Sequence, residues 1–412
     1  MPVELPLSGS PETDRSLPRS VVWLGLSVAV MLAGVIHGLL TWPKTEPTGS
    51  AWFWVRIVVL PALGAAIMFS LRLWYYEDET NRIRAEDEVD LEDREDTVQF
   101  ATEPLAVLGC AYLSASGSAD VAGKIARGDF ALGARSLHPG SDAVRHTALA
   151  LLDDEEGAGR YRPCLIKILD LIAETVTAVP RNVPLGVRLL LPADADRENL
   201  LATWHECWEK KGLRRTKAKL LSPAQGLMAL DEWLDIRGGP SLEKFILFVA
   251  VQLHDIPPEN SAEAAVALLL GWAPLVDRRG MKSLARLHRP VEAESTSLND
   301  VMSTALLWGE TSAVHISDLW QAGLKKEDKP ALIQSATDLS LGISGTESLS
   351  GIHDIDKALG NPGVAAGWLA AALAIEHAAQ SGKPQLIVWR EGSLRLAVAQ
   401  PAAKAIETDS KV

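Results

Sequence analysis

The stretch LGNPGVAAGWLAAALA (residues 359–374) decides how the second half of the chain is read. Asn361, Pro362 and Gly363 are a turn signal, and residues 361–382 after it read as a helix. Ala365, Ala366, Gly367, Ala370, Ala371, Ala372 and Ala374 leave little side-chain bulk on that helix. Neighbours can approach it from several sides, so a buried rather than an amphipathic helix is expected. A turn aimed at the start of a buried helix often carries a catalytic group. Here that residue is Asn361, whose amide does no acid–base work at neutral pH.

Working outward, PQLIVWR (384–390) and SLRLAVAQ (393–400) read as two strands joined by a tight hairpin at Glu391-Gly392. Upstream, EPLAVLGCAYL (103–113), NVPLGVRLLLPA (182–193) and KFILFVAVQL (244–253) are short apolar runs bounded by turn residues, as buried strands are. A helix is expected over 197–211. SPAQGLMALDEWLDIRG (222–238) reads as a helix with Ser222 as N-cap and Pro223 at its first position. SAEAAVALLLGWA (261–273) fits a strand or a helix, and SAVHISDLW (312–320) a strand leading into a loop. Such alternation predicts an α/β domain with sheets covered by helices.

The N-terminal part differs in kind. Residues 21–42 contain no charge and are long enough to cross a bilayer. Residues 52–76 form a second apolar run, with Arg56 and Arg72 near its ends, tryptophans and tyrosines at the flanks, and Pro61 as a tolerated kink. A cleaved signal peptide is a poor match, because the first run is too long and the second follows at once. Arg15 and Arg19 before the spans, against Lys44 between them and Arg72, Arg82 and Arg84 after, place both ends in the cytoplasm by the positive-inside rule. Residues 77–96 hold eleven acidic and three basic side chains and read as a helical stalk or a disordered spacer. The expected layout is therefore a tail (1–20), two transmembrane helices (21–76), an acidic linker (77–97), a large domain (98–402) and a C-terminal tail (403–412).

The net charge of −13 argues against nucleic-acid binding and suits a basic protein partner. Cys110, Cys164 and Cys207 lie far apart and make no metal-ligand spacing. His205 and Cys207, two apart on a helix, point to different faces. No GxSxG, phosphate-binding loop or GxGxxG before a helix occurs. GISGTESLSG (342–351) lacks the spacing of a nucleophile elbow and reads as loop. HDID (353–356) offers a small His/Asp cluster that reads first as a polar turn.

The order of these pieces resembles the thiolase-like fold, in particular the β-ketoacyl synthases. LAVLGCAYLSASG (105–117) is similar to the family's first strand, SPAQGLMAL (222–230) to its nucleophile region, FILFVAVQLHD (245–255) to the strand after it, and LGNPGVAAGWLAAALA to its Gly-His turn and small-residue helix. The resemblance covers residues 98–400 and implies a layered αβαβα domain of two similar halves with buried helices between the sheets. It also implies positions for a cysteine, two histidines and a lysine. Aligning Gly226-Leu227 with the family's Gly-Leu puts Pro223 at the cysteine. Proline supplies neither a nucleophile nor an N–H. Asn361 replaces one histidine, Asp356 falls on the lysine with Lys357 beside it, and no glycine-rich loop surrounds His315. Pro223, Asn361 and Asp356 are thus degenerate positions. No catalytic residue, cofactor or metal is expected.

The overall layout also resembles bacterial membrane-anchored proteins encoded beside type VI secretion effectors, including immunity proteins of the TsiT type. That resemblance implies a secreted effector toxin as partner, with a basic nuclease suiting the charge. A periplasmic domain would point instead to a phospholipase or wall-degrading toxin. By analogy with thiolase-like proteins a homodimer is implied. A divergent acyl-condensing enzyme and a scaffold of a secretion or envelope complex are the alternatives.

Overall fold

The computed structural model describes residues 20–43, 47–136, 143–150, 157–293, 297–345 and 349–402. The two tails expected at the chain ends fall outside them, apart from Ser20, as do Arg15, Arg19 and Lys44. Two compact units divide at Val98/Gln99.

The first unit contains α1 (Ser20–Leu40), α2 (Ala51–Trp54), a π-helical turn (Val55–Val59) and most of α3 (Leu60–Thr102). Two of its helical stretches, Val21–Leu40 and the one that starts at Ala51, are apolar enough to cross a membrane. A Cβ on Gly34 would lie 2.2 Å from Pro61, and one on Gly38 2.7 Å from Ile57. Small residues four apart thus let the backbones approach closely. Trp23 meets Phe69 and Trp42 meets Phe53 edge to face, so the contacts run in opposite directions along the two helices. Pro61 does not interrupt α3. A π turn lies just before it, with Leu60 N–H on Val55 O. Residues 77–96 are helical within α3, so the acidic stretch is not a disordered spacer.

The second unit opens with β1 (Leu105–Leu113), α4 (Val121–Ala126), β2 (Gly133–Ser136), β3 (Ala143–Thr147), α5 (Tyr161–Ala178), β4 (Leu185–Leu190) and α6 (Arg197–Lys210). It continues with β5 (Ala218–Leu220), α7 (Ala229–Leu234), β6 (Phe245–Gln252), β7 (Ser261–Ala262), β8 (Ala264–Trp272) and α8 (Ala273–Arg278). A second series follows: β9 (Ala285–Leu287), β10 (Val291–Ala293), α9 (Leu298–Trp308), β11 (Asp318–Ala322), α10 (Asp328–Asp338), β12 (Ile352–Asp354), α11 (Ile355–Ala358), α12 (Ala366–Ser381), β13 (Gln385–Glu391) and β14 (Ser393–Pro401).

The strand order repeats. Outward from the junction of β1 with β9, one half runs β1-β8-β6-β4-β5 and the other β9-β14-β13-β11-β12. In both halves the second strand from the junction is antiparallel to its neighbours and the outer ones are parallel. β2, β3 and β7 form a small separate sheet. The alternating side chains define the layers. On β6, Phe245, Leu247 and Val249 share an apolar core with α5 and α6, whereas Ile246, Phe248 and Ala250 share another with α12. On β13, Leu386 and Val388 face α9 and α10, and Ile387 and Trp389 face α12. Helix α12 packs on β9, β11, β13 and β14 of one half and on β1 and β8 of the other. The result is helices, sheet, buried helix, sheet and helices, the layered α/β architecture that the resemblance implied.

Three local expectations change. Residues 222–238 are not one helix. Pro223 occupies the second position of a β-turn closed by Gln225 N–H on Ser222 O, where proline's fixed φ fits. A 3₁₀ turn (Gly226–Met228) and the short α7 follow. Residues 312–320 run in the opposite order to that expected: His315 ends an exposed 3₁₀ turn and the strand β11 comes after it. The small-residue helix starts at Ala366 rather than Asn361, after a 3₁₀ turn over Gly363–Ala365. The ambiguous run 261–273 is strand.

Candidate functional site

The nucleophile-like region lies between β5 and α7. Ser222 does not cap a helix there; its Oγ accepts only a long bond from Ala224 N–H, 3.4 Å, within the turn. Pro223 follows it. Gly226 has φ +49°, and a Cβ on it would sit 1.8 Å from a carboxylate oxygen of Glu391 at the end of β13. That carboxylate accepts from Leu227 N–H at 3.3 Å and from Arg395 at 2.8 Å, while Arg395 also donates to Glu292. Burial pushes the Glu391 carboxyl up from its ordinary range, and Arg395 and the Leu227 N–H oppose that shift. Residues 222–228 are thus a proline turn and a 3₁₀ turn fastened to the other half by a buried Glu–Arg network.

Asn361 stands before the 3₁₀ turn that leads into α12. Its side-chain oxygen accepts from Gly363 N–H at 2.9 Å, closing an Asx turn. Its backbone bridges to Asn260 and Ala262. Gln252, at the end of β6, accepts from Val364 N–H and lies where a Cβ on Gly363 would be. Asn361 therefore shapes the turn and does not act as an acid or a base. His315 is exposed and its ring pairs with Ser312.

Asp356, the lysine-like position, lies on α11. Both its oxygens accept from Gly323 N–H, at 3.0 and 2.9 Å, which fastens the turn after β11. Burial raises its pKa to about 6; nearby Asp354 adds to the rise, and the Gly323 N–H and Lys329 oppose it. The folded state thus favours the protonated form. The stability this gives is complete below the unfolded value near 4 and is lost as pH rises through about 6. Between pH 4 and 7 the site's contribution should fall by about 2–3 kcal/mol. Asp356→Asn, which keeps an acceptor for Gly323, should flatten that part of the profile when denaturation midpoints are measured against pH. An unchanged slope would remove Asp356 as its source.

A further cluster was not legible as a unit in the sequence. Asp318, at the start of β11, has Oδ1 2.9 Å from His353 Nε2 on β12 and 3.7 Å from His377 Nε2 on α12. Ser317 Oγ donates to Asp318 Oδ2 at 2.8 Å, and the Trp320 ring lies 4.3 Å from that of His353 and 5.6 Å from that of His377. Burial alone would raise the Asp318 carboxyl, but the hydrogen bonds of His353 and Ser317, with the nearby His377 ring, hold it well below the usual carboxylate range. His353 belongs to the HDID segment; Asp318 and His377 had no local signal beyond being polar in apolar company. His377 and Glu376 interrupt the otherwise apolar run of residues 366–379. Glu376 bonds Tyr112 and the N–H groups of Asp120 and Ala122, which anchors α4. His377 lies roughly three helical turns from the start of α12, so the cluster is at the opposite end from Asn361.

No protein-family model and no curated protein matches the chain. Solved structures do. The ketosynthase from module 1 of the bacillaene synthase of Bacillus amyloliquefaciens FZB42 matches with a TM-score of 0.54 at 13% identity, over 74% of this chain and 77% of that one. The fold is that of the ketosynthases. The module 6 ketosynthase from Bacillus subtilis 168 gives 0.54 at 8% identity over 74% and 73% of the two chains. A type II polyketide ketosynthase, solved with its acyl-carrier protein and bound to a hexaketide, gives 0.52 at 12% over 73% and 99%. At these identities the likeness to ketosynthases concerns architecture, and the chemistry rests on the residues described above.

Proposed function

We propose that this protein is a membrane-anchored, non-catalytic member of the ketosynthase fold that works by binding another protein. One observation carries the reading: the positions that resemble the family's nucleophile and histidine hold Pro223 in a closed β-turn and Asn361 in an Asx turn. Neither offers a nucleophile or a proton-transfer group. A fold can be kept for its surface alone. The apolar helices of the first unit serve as a two-helix anchor, with the large domain on the cytoplasmic side by the charge bias of the flanking segments.

For the partner we propose a secreted effector toxin that the protein neutralises as an immunity protein, a basic nuclease suiting the net charge of −13. Co-expression with the product of each adjacent gene tests this. One neighbour should arrest growth alone and be silenced by this protein; rescue by no pairing would overturn the immunity role. The shared fold itself supports a second reading, a divergent acyl-condensing enzyme. That reading needs a nucleophile elsewhere than residue 223, and it is separable because a condensing enzyme must carry an acyl group.

A further inference from the structure

We propose that Asp318, His353 and His377 form a binding site for a divalent transition-metal ion of the zinc class. The two imidazoles and the carboxylate come from three separate elements, β11, β12 and α12, and converge on one point. Their ligand atoms all lie within 4.8 Å of one another, with oxygen–nitrogen separations of 2.9 and 3.7 Å. An ion about 2.0–2.2 Å from each donor needs donors at about this spacing. Two imidazoles and a carboxylate make an N₂O set that suits zinc and its neighbours rather than calcium or magnesium.

Hydrogen bonding alone does not account for the group. Asp318 and His353 satisfy each other, but His377 is left over. Its Nδ1 is buried without a partner, and its Nε2 stops 3.7 Å from Asp318. Buried polar groups in native folds are nearly always paired. The surroundings are those of a ligand set held in place. The Ser317 hydroxyl bonds one carboxylate oxygen and leaves the other facing the imidazoles, while the Trp320 indole packs on His353. Among the described residues no lysine or arginine pairs with Asp318, so no protein cation takes the ion's place. Activation of a nucleophile is the other use of an Asp–His pair, and it lacks its nucleophile here: the adjacent hydroxyl, Ser317, points its proton at the carboxylate. The side chains of Asp318 and His377 are 17% and 18% exposed, which gives an ion a way in and leaves a coordination position for water.

The site does not depend on the proposed binding function, and its test is separate. Full-length protein in detergent, purified on a tag without histidine and stripped with chelator, is titrated with zinc chloride. One ion per chain should survive gel filtration, measured by elemental mass spectrometry, and the melting midpoint should rise by several degrees. Asp318→Asn and His377→Gln should each lose the ion and the shift, while His315→Gln, at an exposed histidine, should keep both. Retention well below one ion, or equal retention in all variants, would overturn the proposal. Should Asp318→Asn fail to fold, His377→Gln decides alone, since no hydrogen bond of His377 is lost and its circular dichroism reports the fold.

Discussion

Replacing Arg289 with methionine is expected to cost the large unit about 3–5 kcal/mol, seen as a fall in the guanidinium midpoint of the full chain in detergent. The Arg289 side chain is fully buried between β9 and β10. Its Nη1 donates to Asp231 at 2.6 Å, on α7, and to Asp235 at 2.5 Å, just after it. Its guanidinium also lies 5.2 Å from the Phe100 ring. The bridge therefore ties the segment after β9, in one half, to α7 and the residue that follows it, in the other. Without Arg289, Asp231 remains buried with no counter-charge; burial already pushes its carboxyl up even with Arg289 beside it. Removing the charge as well, as Arg289→Met with Asp231→Asn, should recover much of the loss, because the penalty comes from the orphaned carboxylate. A loss below about 1 kcal/mol for Arg289→Met would mean that the bridge is not a determinant of stability.

Trp368→Ala should be of similar size, about 3–5 kcal/mol. Trp368 is 1% exposed in the middle layer and stacks on Phe248 of β6, with ring centroids 5.0 Å apart. Its neighbour Gly367 leaves room for Trp389 of β13, since a Cβ there would come within 2.7 Å of that ring. The indole thus fills space that both half-sheets enclose. Its loss should move a single denaturation transition of the large unit as a whole, and Trp368→Phe should cost less. Two separated transitions would show that the halves do not share this core.

The strands were legible where apolar runs stand between turn residues, as for β1, β4, β6, β13 and β14. β8 was ambiguous because a run buried on both faces has no period to read. The helix expected from Ser222 failed for a non-local reason. Gly226 adopts a positive φ under the carboxylate of Glu391, which is remote in sequence and decides the local conformation. The acidic stretch left two readings open. It is helical, built mostly of good helix formers, with Arg82 and Glu86 paired one turn apart. Pro223, Asn361 and Asp356 could be singled out only through resemblance to a family. The Asp318–His353–His377 group could not be, because its spacing is set by the pairing of β11 with β12 and by α12 returning over β11.

The most direct measurement is the intact mass of the full-length protein after incubation with acyl-coenzyme A or with an acyl-loaded carrier protein. A binding protein with Pro223 at the nucleophile position should show no added acyl mass, and Ser222→Ala should be indistinguishable from the parent. A stoichiometric acyl adduct, on Ser222 or on any other side chain, would contradict the non-catalytic reading and restore the chain to the condensing enzymes.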